Sequence, residues 1–470
     1  MFDTTLLAAS TPTPVLKICE VLAARGHRAW IVGGIVRDLL SASARNDTSP
    51  PRGDWDLATD ARPDDVQAYF RRVIPTGLQH GTVTVMIGGQ GFEVTTLRGE
   101  TTYSDGRHPD AVYFVNDIAA DLARRDFTVN AIAYDPLANV LIDPYGGLDD
   151  LQRGLLRAVG DPGERFAEDG LRVLRAARFR ATLDFEIDPD TARAMEPSLA
   201  SYRKVSPERI RDEWLKALVA RRPSRAFEAM LEHGLLAATA PELAGLVGVE
   251  QNRHHAFDVW EHTMRCLDDC PPRPLVRLAA LLHDVAKPQT RAIGEKTRDY
   301  TFYNHEIGSA KLADGILRRL RFSNEERAQV VALVRHHLVV YDGSWTDATV
   351  RRWLRRVTPE LVDELLMLNR ADVLAKGRDV ADEIAGIEAL RERVTATLAA
   401  GAALTVRDLE IGGNDLRDEL GLAPGPRMGQ VLRSLLDDVT EQPELNERGR
   451  LLERARQLLA NLSENDPPPH

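Results

Sequence analysis

The sequence contains few cysteines and few aromatic residues. Three of its 470 residues are cysteine, and Cys266 and Cys270 have no second pair that would complete a zinc site. This count excludes a disulfide framework and fits a reducing, cytoplasmic compartment. Aromatic residues make up 6%, hydrophobic residues 43% and charged residues 28%, as in an ordinary globular protein.

Long hydrophobic runs and an excess of positive charge are also missing. No run approaches membrane-spanning length, and the first residues lack the basic start and apolar core of a signal peptide, so we expect no membrane partner. The net charge of −11 disfavours a surface that coats nucleic acid. A local basic stripe is still expected, because arginines cluster over residues 172–180 and 203–211.

The length predicts two to four domains. β-Rich segments and glycine turns run to about residue 145, whereas helical periodicity dominates from Leu151 onward. We therefore predict an α+β protein, with a mixed α/β head followed by all-α regions. The predicted domains are a head over 1–145, a helical neck over 146–250, a third domain over 251–375 and a helical tail over 376–470 with a disordered end.

An acidic pair, Asp54 and Asp56, lies just beyond a glycine turn. Residues i and i+2 of a strand share a face, so the two carboxylates lie side by side, and a divalent cation stabilises such a pair. Upstream, the apolar run 29–32 stops at Gly33 and Gly34, and an amphipathic segment follows. This pattern predicts a strand, a turn and a helix whose free N–H groups hold a phosphate. Spacing alone leaves a solvated turn open.

Two further segments carry arginines. Arg124 and Arg125 begin the segment 124–131, and they either bind a polyphosphate or lock a domain junction, while Asp126 and Asn130 fix the turn. The segment 164–179 predicts one helix with arginines at every third position.

Asp169 and Arg172 lie one turn apart in that predicted helix, so we expect them to act as one unit that reads a base. Cytosine and adenine offer an amino group to the carboxylate and a ring nitrogen to the arginine. Guanine and uracil place a carbonyl opposite the carboxylate and would be rejected.

The motifs GGxVRD, D-x-D, RRDFTxNA and ERFxEDxLRxLRAARF occur in the order and spacing of class II tRNA nucleotidyltransferases, the CCA-adding enzymes. The resemblance is close from Ile31 to about Arg225 and looser to the C-terminus. It implies that C, C and A are added to tRNA 3′ ends from CTP and ATP without a nucleic-acid template, in a reaction that needs Mg²⁺. The implied residues are Asp54 and Asp56 for Mg²⁺, Gly34, Arg37 and Arg125 for the nucleotide, Asp169 and Arg172 for the base, and Arg175 and Arg178 for the rest of the pocket.

A third metal-binding carboxylate is common in nucleotidyltransferases, and Glu93 is our candidate. The alternative is a salt bridge from Glu93 to Arg98 or Arg37. Bacterial poly(A) polymerases share the core, but the segment 77–85 resembles the CCA-adding version. Split enzymes that add only CC or only A remain open, because their base-reading helix is similar.

A second constellation consists of His262, His283, Asp284 and Asp372, which resembles the ligand order of HD-domain phosphohydrolases. Its adjacent histidine and aspartate lie in an apolar segment, where a metal would satisfy them.

The resemblance to HD enzymes implies a second divalent metal site with phosphatase or phosphodiesterase activity. His305, His336 and His337 are expected to extend the site to two metals, and Lys287 resembles a lysine of some HD enzymes. Taken singly, each histidine also fits a surface or capping role. An HD phosphohydrolase with a nucleotide-sensing head is the alternative from another class.

The segment from Leu409 to Leu459 resembles the tail that contacts the tRNA body in these enzymes. On its residues alone it predicts a small helical cap, and binding there is expected to depend on shape and phosphate contacts. The sequence does not predict an oligomeric state.

Overall fold

The computed structural model describes residues 4–44, 53–78, 81–100, 112–296 and 298–464. The chain divides into two compact units, residues 1–244 with 319–322 and residues 245–318 with 323–470. None of the helices in the described ranges combines the length and the apolar character that crossing a membrane requires. Residues 463 and 464 of the predicted disordered end, 463–470, belong to the last helix, and 465–470 lie outside the described residues.

The first unit contains a mixed sheet. The strands of this unit are β1 (Ala29–Val32), β2 (Asp56–Thr59), β3 (Val73–Gly77), β4 (Thr82–Ile87), β5 (Gln90–Thr96), β6 (Arg98–Glu100), β7 (Val112–Phe114), β8 (Ala133–Asp135), β9 (Val140–Ile142), β10 (Leu155–Leu156) and β11 (Glu186–Ile187). Seven strands form one sheet in the order β3-β4-β5-β2-β1-β8-β9. β1 and β2 run antiparallel, whereas β2 and β5 run parallel. The β-rich segments predicted up to about residue 145 are thus confirmed, and they include β2, β4 and β5 of this sheet.

The helices of the first unit cover the sheet and then continue beyond it. They are α1 (Thr5–Ser10), α2 (Thr13–Ala23), α3 (Gly34–Ala44), α4 (Pro63–Tyr69), α5 (Ile118–Ala123), α6 (Gly147–Arg153), α7 (Pro162–Glu168), α8 (Leu171–Thr182), α9 (Pro189–Met195), α10 (Leu199–Tyr202), α11 (Pro207–Leu218), α12 (Ser224–Glu232), α13 (Leu235–Thr239) and α14 (Pro241–Ala244). Trp30 and Val32 of β1 pack with Ile118 and Leu122 of α5 in one buried cluster. This cluster fixes α5, and with it the arginines that follow.

The prediction of one helix over 164–179 is wrong, because the chain breaks between α7 and α8. Asp169 is extended, with φ −143° and ψ 105°, and its carboxylate accepts a hydrogen bond from the Leu171 backbone N–H at 3.0 Å. Gly170 passes so close to another segment that a Cβ there would lie 2.3 Å from the Ser201 carbonyl oxygen. The Asp-Gly pair is therefore a capping turn that places the Asp169 side chain outside the helix.

Asp126 joins the sheet to α8. Its carboxylate accepts hydrogen bonds from the Phe127 backbone N–H at 2.9 Å, Asn130 Nδ2 at 3.0 Å and Arg175 Nε at 2.7 Å. The expected role of Asp126 and Asn130 in fixing the turn is confirmed. Burial alone would raise the pKa of Asp126, but Arg175 and Asn130 outweigh it and hold that pKa well below its usual range.

The second unit is helical apart from one short hairpin. Its elements are α15 (Val259–Asp269), α16 (Pro274–Leu282), α17 (Lys287–Thr290), β12 (Ala292–Ile293), β13 (Tyr300–Thr301), α18 (His305–Arg319), α19 (Asn324–His336), α20 (Asp347–Val357), α21 (Val362–Leu374), α22 (Ala381–Ala399), α23 (Gly413–Leu420), α24 (Pro426–Glu441) and α25 (Arg448–Glu464). The last three helices bury a core of their own that contains Leu416, Leu435 and Leu451. Arg351 of α20 donates to the Thr440 carbonyl oxygen at 2.7 Å and so ties α20 to α24.

We predict that Asp126→Asn destabilises the first unit by about 3–5 kcal/mol, because Arg175 then loses its buried counter-charge. Since the folded pKa of Asp126 lies below the unfolded value of about 3.9, its stabilisation is complete above that pH and is lost as the pH falls through and below it. The difference between wild type and variant in urea unfolding should therefore shrink on acidification. Asp190→Asn is the control, since Asp190 pairs with Arg193 at 72% exposure and should change stability by less than about 1 kcal/mol. An equal effect of both substitutions at pH 7 would contradict the role given to Asp126.

Candidate active sites

Three carboxylates lie close together at one end of the central strands β2 and β5. Asp56 begins β2 directly opposite Val32 of β1, and Asp54 lies two residues upstream. Leu57 pairs with Val94 in the parallel register of β2 and β5, so Glu93 lies beside Asp56 on the neighbouring strand. The sheet topology thus brings together three acidic residues from two segments of the chain.

This acidic cluster carries unneutralised charge. Burial, then Glu93, with a smaller contribution from Asp54, raises the pKa of Asp56 to about 6, although Arg125 opposes the shift. Glu93 is exposed, and neither of the salt bridges considered for it, to Arg98 or to Arg37, is formed within the described residues. Carboxylate oxygens are ligands of hard divalent cations, and a bound cation would remove the mutual repulsion. The donor set therefore fits a metal of this kind.

The predicted glycine turn lies against the acidic cluster. Gly33 has φ +86°, and a Cβ there would lie 3.5 Å from Asp56 Oδ2 and 3.8 Å from Arg125 Nη1. Glycine is favoured because the left-handed backbone disfavours a side chain, whereas the distances to Asp56 and Arg125 are ordinary van der Waals contacts. α3 begins at Gly34, so its first N–H groups lie beside the same edge of the sheet.

The two adjacent arginines after α5 have different contacts. Arg124 donates from Nε to Asp121 Oδ1 at 3.0 Å, which is a structural ion pair. Arg125 lies 3.7 Å from Asp121 Oδ2, its Nε has no hydrogen-bond partner, and its Nη1 lies near Gly33. Arg124 therefore has a structural role at the end of α5, whereas Arg125 faces the acidic cluster, and binding of a polyphosphate by Arg125 stays a prediction.

The side chains of Asp169 and Arg172 are not paired with each other as in the predicted reading unit, although the Arg172 backbone N–H donates to the Asp169 carbonyl oxygen at 3.0 Å. Asp169 Oδ2 accepts from Arg209 Nη2 at 2.7 Å, whereas Arg172 pairs with Glu168. Arg172 also donates to the Arg124 carbonyl oxygen at 2.8 Å. Both side chains lie where α7 meets α8, but each has its own ion-pair partner in this structure.

Arg37, Arg175 and Arg178 converge on the ring of Phe179. Their guanidinium carbons lie 5.2, 5.3 and 3.7 Å from its centroid. Arg37 also donates to Asn130, and Arg178 donates to the buried Glu213. Arg37 and Arg178 are thus buried in internal contacts, while the Arg175 side chain keeps 30% of its surface exposed.

Arg209 and Glu213 are the residues of this region that sequence reasoning missed as specific partners. Arg209 was noted only as one of a group of basic residues, and it is 40 positions from Asp169. Glu213 is only 2% exposed, and its spacing from Arg209 on α11 was the one signal available. A carboxylate on the apolar face of a helix indicates a buried cationic partner.

The second unit holds the other predicted constellation at its centre. His262 Nε2 lies 3.0 Å from Asp372 Oδ1, and His283 Nε2 lies 3.1 Å from Asp284 Oδ2. Ligand atoms of His262, His283 and Asp284 fall within 4.8 Å of one another, which the acidic cluster of the first unit does not achieve. The four predicted residues are thus brought together from α15, the end of α16 and α21.

Two further histidines adjoin this centre. His305 Nε2 lies 3.3 Å from Asp284 Oδ1 and 3.3 Å from His337 Nε2. Asp284, His305 and His337 form a second group within 4.8 Å, so the Asp284 carboxylate faces both groups. His336 is not part of either group; burial, then Arg356 and Arg335, lowers its pKa.

The tautomers of these histidines follow from their backbone contacts. The Nδ1 atoms of His283, His305 and His337 each lie 2.7 Å from a carbonyl oxygen, of Ala280, Phe302 and Val334. A carbonyl oxygen only accepts, so each Nδ1 carries the hydrogen and each neutral ring directs an Nε2 lone pair into the centre.

Lone pairs of nitrogen and carboxylate oxygen that face one another repel unless a cation lies between them. Burial lowers the pKa of His283, but Asp284 and Asp372 outweigh burial and raise it to about 10. The centre thus favours positive charge, and its imidazole and carboxylate donors fit one or two divalent transition metals.

A cavity of about 370 Å³ opens onto the metal-binding residues. Lys287 reaches Asp284 Oδ2 at 2.6 Å and Gln251 Oε1 at 2.6 Å, so it lies between the centre and the cavity wall. Asn369 and Lys376 also line the cavity, and sequence reasoning did not single them out. The cavity is large enough for a nucleotide-sized phosphate ester.

Comparison with known proteins assigns the two sites to two different domain families. Residues 29–157 match the family described as Poly A polymerase head domain, and residues 184–246 match the probable RNA and SrmB-binding site of polymerase A. Residues 253–377 match the HD domain family. The head and HD matches include both sites described above.

Two curated relatives and one solved structure extend over nearly the whole chain. The CCA-adding enzyme of Levilactobacillus brevis is 32% identical over 93% of this chain and 95% of its own length. The CCA-adding enzyme of Ligilactobacillus salivarius is 29% identical over 94% and 96%. The crystal structure of the Bacillus stearothermophilus CCA-adding enzyme in complex with CTP has a TM-score of 0.70 at 29% identity and covers 96% of this chain and 100% of that one. These full-length relatives and the matched domains show that the chain belongs to the CCA-adding enzyme family of class II tRNA nucleotidyltransferases, in the form that carries an HD domain.

Proposed function

We propose that this chain adds C, C and A to tRNA 3′ ends from CTP and ATP, and that the acidic cluster beside Gly33 is its catalytic centre. The observation that carries the assignment is the convergence of Asp54, Asp56 and Glu93 beside a glycine turn and Arg125. The tRNA 3′-hydroxyl attacks the α-phosphate of the nucleotide, a new phosphodiester bond forms, and the bond to pyrophosphate breaks. The proton of the hydroxyl leaves to solvent or a nearby base.

The transfer reaction depends on a divalent cation, and we propose Mg²⁺ held by Asp54 and Asp56, with Glu93 as the third carboxylate. Such a cation would acidify the attacking hydroxyl and offset charge on the α-phosphate. The protein supplies the rest. The first N–H groups of α3, from Gly34, receive phosphate oxygens, and Arg125 offsets the charge of the leaving pyrophosphate.

We propose that Asp169 and Arg172 read the base, and that Arg37, Arg175 and Arg178 hold the walls of the nucleotide pocket. The turn at Asp169 supports the first proposal, because it places the carboxylate at the start of α8, where Oδ1 accepts from the Leu171 N–H and Oδ2 accepts from Arg209. The contacts around Phe179 support the second. Arg209 must give up Asp169 when a base with an amino group arrives, so C and A compete with an arginine for this carboxylate.

For the second unit we propose a metal-dependent phosphohydrolase that cleaves phosphate esters. Water would add to phosphorus, and the alcohol would leave with a proton. His262, His283, Asp284 and Asp372 would hold one metal, and His305 and His337 would share Asp284 with a second. Lys287, which is 2.6 Å from Asp284, is placed to bind a phosphate oxygen at the cavity wall.

The remaining assignments are also proposals. We divide the chain into a head over 1–145, a neck over 146–250, an HD domain over 251–375 and a tail over 376–470 that contacts the tRNA body. Buried thiols at Cys19, Cys266 and Cys270, without disulfides, support a cytoplasmic location.

Incubation with CTP, ATP and a tRNA that ends at the discriminator base tests the activity. Extension by two nucleotides, or by AMP only on a tRNA ending in CC, would instead identify a split enzyme.

Asp56→Asn should lower nucleotide addition by about 10³-fold, because it removes a metal ligand worth several kcal/mol in the transition state. The rate of tRNA extension measures this, and HD-dependent phosphate release from an added ester should be unchanged. Asp64→Asn, an exposed carboxylate of α4, is the control. If Asp56→Asn kept full extension activity, the catalytic centre would lie elsewhere.

Asp169→Ala should lower selectivity for CTP over UTP by at least about tenfold, because the carboxylate that rejects a carbonyl is gone. Triphosphate binding should change less, since the phosphate contacts remain. Ratios of kcat/KM for the four nucleotides, with Glu164→Ala as the exposed control on α7, measure the effect. A uniform loss of binding with unchanged selectivity would exclude base reading by Asp169.

His283→Ala should remove the tightly bound metal of the second unit and its phosphohydrolase activity, while nucleotide addition persists. Metal content after gel filtration gives a readout that does not depend on activity. His254→Ala, an exposed histidine of the same unit, should retain the metal. Loss of both activities would identify a structural metal instead of a catalytic one.

A further inference from the structure

A second cavity lies directly beside the HD centre. It measures about 290 Å³ and is lined by Glu306, Arg335, His336, Leu338, Trp353 and Arg356. Leu338 also lines the larger cavity that opens onto the metal-binding residues, so the two cavities share a wall. Two residues that line the second cavity, Glu306 and His336, directly follow His305 and directly precede His337 in the chain. Because consecutive Cα atoms are about 3.8 Å apart, the second cavity begins within roughly one nucleotide of the metal-binding residues.

The charge of this second cavity is positive. Arg335 Nη1 donates to Glu306 Oε1 at 3.2 Å, so these two charges offset each other. The Arg356 guanidinium makes no hydrogen bond or ion pair to any residue in the described part of the chain, and this side chain is exposed at the cavity. The Arg335 guanidinium also has N–H groups that do not donate to Glu306. An arginine fork of this kind suits a phosphate group.

Apolar side chains surround the mouth of the larger cavity. Tyr303, Leu338 and Val340 line it and are 78%, 52% and 80% exposed. Exposed apolar groups beside a cationic groove are the combination that binds single-stranded nucleic acid, where bases stack and phosphates pair with arginine. Trp353, at 4% exposure, forms a fixed floor because it packs against Trp345 at 6.0 Å.

We propose that the cavity of Arg335, His336 and Arg356 binds the backbone phosphodiester that precedes the terminal nucleotide of an RNA strand whose end lies in the HD cavity. The HD site thereby prefers the phosphorylated end of a strand to a free nucleotide. This inference rests on the proposed phosphohydrolase activity. It assigns the anion subsite to three residues that contribute no ligand to the metal centre.

The test compares phosphate release from adenosine 3′-phosphate and from cytidylyl-(3′→5′)-adenosine 3′-phosphate, with Mn²⁺ or Ni²⁺ added to the full-length protein. Wild type should show a kcat/KM about tenfold higher for the dinucleotide, as one charge-assisted contact would give. The preference should fall as salt rises, since the subsite is exposed. Arg356→Ala should reduce it to about onefold, and Arg356→Lys should restore part of it.

Arg318→Ala is the matched control. Arg318 is an exposed arginine of α18 in the same unit that pairs with Asp314 and lines neither cavity, so this variant should keep the preference. Equal rates of wild type on the two substrates, or a preference that survives Arg356→Ala, would overturn the subsite.

A wild-type protein that releases phosphate from neither substrate would refute the phosphohydrolase instead. The subsite would then be judged by calorimetric binding of the dinucleotide. Binding that weakens in Arg356→Ala but not in Arg318→Ala would support it, and equal binding by all three proteins would overturn it.

Discussion

The carboxylate of Asp126 is the contact on which the catalytic unit depends. It receives hydrogen bonds from the turn that follows Arg125 and from Arg175 on α8, so one buried group connects the acidic edge of the sheet with the segment that carries Asp169. Arg37 from the first turns of α3 reaches the same network through Asn130. The proposed catalytic centre and the proposed base-reading residues therefore share one buried, charged junction, so a change in the position of one would affect the other.

The arginines of this junction explain how a protein with a net charge of −11 handles a triphosphate and an RNA. Their charges are held in place by Asp126, Glu168, Asp169 and Glu213, each paired with one arginine or two. Such pairing lowers the cost of burying guanidinium groups and fixes their direction. If Asp169 reads the base as proposed, Arg209 is a competitor that an incoming base would have to displace, and selectivity would be a difference between two hydrogen-bonded states.

Local patterns in the sequence were sufficient for the strand over 29–32, the glycine turn and the convergence of the four HD residues. Each of these rests on periodicity, on glycine conformation or on a motif with a fixed chemical role. The break between α7 and α8 was missed because the three-residue spacing of charged residues from Asp169 to Arg178 spans Gly170, whereas the Asp-Gly turn depends on the distant Ser201 backbone. The partnership of Asp169 with Arg209 was beyond local reasoning for the same reason, since only the packing of α11 against α8 brings them together.

The histidines of the HD centre are oriented by carbonyl oxygens of Ala280, Phe302 and Val334 and not by other side chains. A carbonyl group is present whatever amino acid occupies the position. Substitution at those three positions therefore leaves the acceptor in place, provided that the backbone keeps its course. The arrangement that directs each ring toward the proposed metal site is in this sense resistant to mutation, and variation around the centre could alter the choice of substrate while leaving the geometry of these histidines unchanged.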